Sequence, residues 1–132
     1  MPSYDTATVA FAVSAPKKWV DNTCTQFQVP GVQSERQGVS RQFAFDGVIA
    51  IHVIRSLCVE LGLPVRQSVR MATALLADER ATATPAHGIV VGLDLDALTH
   101  HVQQRLLEAV ESVPRIRRGR PPSSRDLTGA VA

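Results

Sequence analysis

VSAPKKWVDNTCTQF, Val13 to Phe27, holds both lysines of the 132-residue chain and its only tryptophan. Ser14 is a favourable N-cap for a helix whose first turn contains Ala15 and Pro16, because a serine oxygen accepts from an early amide and proline has no amide to leave unpaired. Within that helix Val20, Cys24 and Phe27 recur at helical spacing with Trp19 alongside, while Lys18, Asp21, Asn22 and Thr25 form the opposite stripe. One side is built for a core, and the other offers two adjacent cations followed by an Asp-Asn pair. Just upstream, TATVAFAV is a second short helix that Asp5 or Thr6 can cap, separated from the first by one tight turn.

Working outward, QVPGVQSERQGVSRQFAF is punctuated by Pro30-Gly31 and Gln37-Gly38 between β-prone segments and reads as a small hairpin. DGVIAIHVIRSLCVELG follows, with Asp46 as its expected cap. Ala50, Ile51, Ile54, Leu57, Cys58 and Leu61 should face inward, His52, Arg55, Ser56 and Glu60 outward, and Gly62 should end the helix. Pro64 opens PVRQSVRMATALLADE, with Val65, Val69, Ala72 and Leu76 expected inward. Residues 77–88 are small and polar and read as a linker. GIVVGLDLD alternates as a strand, with Asp94 and Asp96 on one face, and DALTHHVQQRLLEAVESV reads as a helix. Residues 115–132, rich in Arg, Pro and Ser, have the composition of a disordered basic tail.

The order helix, tight turn, helix, hairpin, helix ending in Gly and Pro-started helix is that of a winged helix-turn-helix. At Arg41-Gln42-Phe43, Phe45-Asp46 and Leu57-Cys58-Val59-Glu60-Leu61-Gly62-Leu63-Pro64 the chain resembles the N-terminal domain of MerR-like transcription regulators, over roughly residues 6–76. The family's usual IRYYE recognition helix is replaced by Lys17-Lys18-Trp19-Val20-Asp21-Asn22, and the long C-terminal coiled-coil helix is missing, so effector sensing is not implied. What the resemblance implies is DNA docking and dimerisation.

The expected fold class is therefore mainly α with small β elements. A winged helix-turn-helix DNA-binding domain occupies 1–76, a linker 77–88, a strand-helix dimerisation module 89–114 and a disordered tail 115–132. A lone strand and helix cannot bury their own apolar faces, so the segment should pack against the first lobe or against a second copy, and Val90, Leu93, Leu98, Val102, Leu106 and Val110 are assigned to pairing with a second copy.

Charge supports a polyanion partner. Residues 17–70 carry seven cations and four anions, 71–114 two cations and six anions, and 115–132 five cations and one anion. A basic head and tail around an acidic middle suit double-stranded DNA as the ligand of a homodimer. Lys17 and Lys18 can reach phosphates or guanine acceptors, Asn22 can pair with adenine, and Asp21 can accept from cytosine or fix a lysine. In the wing, Arg36 and Arg41 flank Gly38, with Gln37 and Ser40 between them, where a glycine tip permits close approach to the sugar-phosphate chain. In the tail, Arg117-Arg118-Gly119-Arg120-Pro121 resembles an AT-hook, whose Arg-Gly-Arg core follows the narrow minor groove. Arg117 stands where that motif usually has proline, so a nonspecific basic tail is the preferred reading of Arg117, Arg118 and Arg120.

Enzyme chemistry finds no foothold in the pattern. The four histidines have no metal-ligand spacing, no phosphate-binding glycine loop or nucleophile-base arrangement stands out, and no cofactor or metal is expected. Cys24 and Cys58 lie within apolar helical patterns and read as reduced core residues. No apolar run is long enough for a membrane span, and MPSYDTATVAF is unlike a signal peptide, so a cytoplasmic protein is expected. Two other classes compete with the regulator: an antitoxin or anti-repressor that binds a protein partner, and an architectural factor that bends DNA with little sequence preference.

Overall fold

The computed structural model describes residues 2–33 and 40–112. It is mainly helical, with two small antiparallel sheets among those residues. Helix α1 spans Thr6–Ala12, and Asp5 caps it by accepting from the Thr8 amide at 2.8 Å. Helix α2 spans Lys17–Gln26. The turn between them differs from the expected cap. Ser14 takes a left-handed conformation, φ 56°, and its amide donates to Phe11, leaving Pro16 to begin α2 with no side-chain cap.

Strand β1, Val32–Gln33, pairs antiparallel with β2, Gln42–Phe43, with Val32 opposite Phe43 and Gln33 opposite Gln42. A bridge from Tyr4 to Phe43 ties the chain's first residues to this hairpin. Gly31, at φ 77°, and Gly47 bring the hairpin backbone against the start of the next helix so closely that a Cβ on either would collide with the other's main chain.

Helix α3, Phe45–Glu60, starts one residue before the expected cap. Ala44 holds the cap position and Asp46 lies in the first turn, where its charge favours the helix dipole. Its burial is not one-sided: Val48, Ile49, Ala50, Ile51, Val53, Ile54 and Leu57 are all buried, because α3 is the central helix and packs against α4, α5 and β2. Leu61, expected inward, is exposed at the helix end, where Gly62 at φ 69° turns the chain. Helix α4, Val65–Ala77, buries Ser68, Val69, Ala72 and Leu75, while Val65 and Leu76 are only half-buried.

Two expectations for the C-terminal half are overturned. The linker assigned to 77–88 contains strand β3, Thr82–Ala86, which pairs antiparallel with β4, Ile89–Gly92. The turn from α4 into β3 is organised by Asp78, whose carboxylate accepts from the Thr82 and Arg80 amides and the Thr82 hydroxyl; these bonds, the Thr82 amide above all, hold its pKa below the usual carboxylate value. Asp94 and Asp96 are not strand residues. Asp94 accepts from the Ala97 amide at 3.0 Å and caps helix α5, Leu95–Ser112, whose first turn contains Asp96.

Of the two packings open to the strand-helix segment, α5 takes the one against the first lobe, so it is not a separate dimerisation module. α5 packs on α1 and α3, and Val102 and Leu106 are buried in the same core as Val9, Val13, Ile51 and Ile54. Burying such side chains is worth about 1.5–3 kcal/mol each, so α5 stabilises the chain that carries it. Of the residues assigned to dimerisation, Val102 and Leu106 are committed internally, Leu93 and Leu98 are half-buried, and Val90 and Val110 are exposed.

Candidate nucleic-acid interface

The two faces of α2 have opposite fates. Val20 and Thr23 are buried, Trp19 and Cys24 half-buried against the core, and Lys17, Lys18 and Asn22 exposed. The helix is held by its apolar side, and its N-terminal half presents two ammonium groups and an amide to solvent.

Asp21 and Arg41 behave otherwise than their sequence roles required. Their side chains bond to each other, Arg41 Nη1 donating to Asp21 Oδ1 at 3.0 Å, while Nη2 donates to Thr25 Oγ1 at 3.2 Å. The Arg41 side chain is only 8% exposed. It faces inward, because a guanidinium buried just before β2 finds its counter-charge on α2. The buried Arg41 is thereby removed from the expected DNA-contacting surface, and the Asp21 carboxylate, 39% exposed, is engaged by an arginine and not by a lysine. Arg41 instead locks β2 beside α2 and fixes the hairpin's position relative to Lys17, Lys18 and Asn22. Ser40 is exposed next to it. Arg36, Gln37, Arg117, Arg118 and Arg120 lie outside the described residues.

Two cations not assigned a role from the sequence flank the same helix. The Arg55 guanidinium of α3 lies over the Trp19 ring at 5.0 Å, and that of Arg66 of α4 over Phe27 at 5.9 Å. Stacking on an aromatic face orients a guanidinium without neutralising it, so positive charge borders α2 along its sides as well as at its start. The available signal was weak: Trp19 and Phe27 lie eight residues apart on one side of α2, but nothing local names the arginines that cover them.

A third arginine acts on the turn. Arg105 of α5 donates to the carbonyls of Phe11 at 2.9 Å and Ala12 at 3.3 Å and to Ser14 Oγ at 3.3 Å, and pairs with Glu108. It satisfies carbonyls at the C-terminus of α1, where cationic charge is favoured. The link from α1 into α2 is thereby tied to the C-terminal helix.

Beside the hairpin, residues Cys24 to Val32, Arg41 and Thr73 line an open groove of about 640 Å³. Burial pushes the Cys24 thiol up to about 11, against the attraction of the Arg41 cation and with a smaller push from Asp21. A thiol held protonated at neutral pH is a poor nucleophile. Between α3 and α5 the rings of His52 and His101 stand 5.1 Å apart; burial, and then His101, lower the His52 pKa. Among the described residues no three His, Cys, Asp or Glu side chains gather as a metal site, and no helix is long and apolar enough to cross a membrane. No protein-family model, curated protein or solved structure matches the chain.

Proposed function

We propose that the protein is a sequence-specific DNA-binding transcription regulator, cytoplasmic and homodimeric, that docks α2 in a major groove in the manner of MerR-like winged helix-turn-helix domains. The observation that carries this reading is the exposure of Lys17, Lys18 and Asn22 together on a helix whose other side is sealed into the core. An amide can pair with the donor and acceptor of adenine, and lysines can reach guanine acceptors or phosphates. The β1–β2 hairpin, pinned to α2 through Arg41, supplies the wing, and Arg55 extends the positive border of the helix. In a two-fold dimer, two such helices would read half-sites about 34 Å apart.

The test is a salt-titrated binding assay of the full chain on duplex DNA from upstream of its own gene and on a scrambled duplex. Lys18→Glu should weaken binding at least about tenfold with unchanged circular dichroism, and should flatten the salt dependence by roughly one or two phosphate contacts. Equal affinity for the two duplexes would favour the architectural factor. Absence of duplex binding at low salt would overturn the DNA reading.

A further inference from the structure

The two edges of the β3–β4 hairpin are unlike. β3 lies against α4, contains Pro85, and has its register broken between Ala83 and Ala86. Cover, proline and irregularity are the devices that close a strand edge to further pairing. β4 has none of them. It reads Ile89-Val90-Val91-Gly92, without charge or proline, and its sheet has two strands, so its outer edge pairs with no strand among the described residues. Ile89 is 55% and Val90 67% exposed, and Leu95, where α5 begins, is exposed as well.

The ladder also tells which groups that edge offers. The Leu93 amide donates inward to Ala81 at 2.9 Å. Main-chain groups alternate along a strand, so Leu93, Val91 and Ile89 turn theirs toward β3, whereas Val90 and Gly92 turn theirs outward.

We propose that β4 is the pairing edge for a second copy of this chain, antiparallel about a two-fold axis at Val90, with each Val90 amide donating to the carbonyl of the partner's Val90. A two-fold pair sets a strand against its own reverse, which opposes like charges wherever the strand is charged; β4 has no charge to oppose. Its flanks complement each other under the same operation. His87 precedes the strand and Asp94 and Asp96 follow it, so antiparallel pairing brings the histidine end of each copy beside the acidic end of the other. Two solvated two-stranded hairpins, each marginal as a sheet, become one four-stranded sheet. This deepens the assembly half of the proposed function and does not depend on its DNA half.

The test uses the full chain without DNA, in sedimentation equilibrium at micromolar concentrations. The wild type should be dimeric. Val90→Pro deletes the outward amide while sparing the β3 ladder, and Val90→Lys sets two cations face to face; each should raise the dimer dissociation constant at least about tenfold with unchanged circular dichroism. Mixing Val90→Lys with Val90→Glu copies should restore dimers, because only a self-pair centred on this residue places the two charges together. That mixture decides the matter even if the proline variant fails to fold. A monomeric wild type would show that the edge serves a different partner or none, and dimers unmoved by the substitutions would put the interface elsewhere; either result overturns the proposal. Loss of DNA binding alone changes none of these outcomes.

Discussion

Arg41 and Asp21, twenty residues apart in sequence, are joined by a 3.0 Å ion pair that fastens the β1–β2 hairpin to α2, with the arginine side chain 8% and the aspartate 39% exposed. The asymmetry matters. Removing the exposed partner takes from the buried guanidinium its Asp21 counter-charge while its bond to Thr25 stays, and a hydrogen bond to a charged group is worth about 1.5–3 kcal/mol. Asp21→Ala should therefore lower unfolding stability by roughly that amount, and Arg41→Glu, which sets two carboxylates together between β2 and α2, should cost more. Urea unfolding checks this; midpoints within error of wild type would show that the pair contributes nothing.

Leu106 and Leu107 are neighbours with opposite expected outcomes. Leu106 is 4% exposed within the core and Leu107 is 64% exposed. Leu106→Ala should cost about 2–5 kcal/mol, and Leu106→Asp should leave the chain unfolded rather than yield folded monomers. Leu107→Ala should stay within about 0.5 kcal/mol of wild type. A folded, monomeric Leu106→Asp variant would return α5 to the role of a detachable dimerisation element.

Much of the helical framework was legible because periodicity is a local property. Asp5 capping α1, the buried Val20 of α2, the hairpin and the Gly62 stop all follow from residues within a few positions of one another. What was not legible depended on distant partners. The wing reading turns Arg41 outward to the sugar-phosphate chain, and nothing in its sequence neighbourhood reveals Asp21. The one-face reading of α3 failed because Val48, Ile49 and Val53 are apolar on its remaining sides, which marks a helix surrounded by others. The Asp94-Leu95-Asp96 alternation imitates a strand, yet an Asp three residues before an amide it can cap is equally a helix start. β3 was hidden by its small residues and by Pro85, which strand interiors seldom tolerate.

His52 makes stability depend on pH. Its folded pKa lies below the unfolded value of 6.5, chiefly through burial and then through His101 on the facing helix. The unfolded chain thus binds the proton more readily, so stability rises with pH through this window. The contribution is complete above about pH 6.5 and is lost as pH falls toward the lowered value. Urea midpoints at neutral and mildly acidic pH should differ, and His52→Leu should remove most of that difference. An unchanged pH slope in the leucine variant would locate the titration at another group.

Arg105 supplies the last prediction, because one side chain serves several acceptors at the turn between α1 and α2. Its guanidinium reaches the Phe11 and Ala12 carbonyls and Ser14 Oγ, lies over the Phe11 ring at 4.9 Å and pairs with Glu108. An ammonium is a point charge and cannot form that planar fork. Arg105→Ala should cost about 1–3 kcal/mol, whereas Glu108→Ala should cost under about 1 kcal/mol, since that side chain is 45% exposed and its ion pair is screened by solvent. Arg105→Lys should recover less than half of the loss while retaining the charge. Hydrogen exchange provides the local readout: in Arg105→Ala, amides of the α1–α2 turn and the first turn of α2 should exchange faster than those at the centre of α3. If lysine restores full stability, charge alone is what α5 contributes to the turn; if exchange rises equally everywhere, Arg105 stabilises the whole chain without positioning α2.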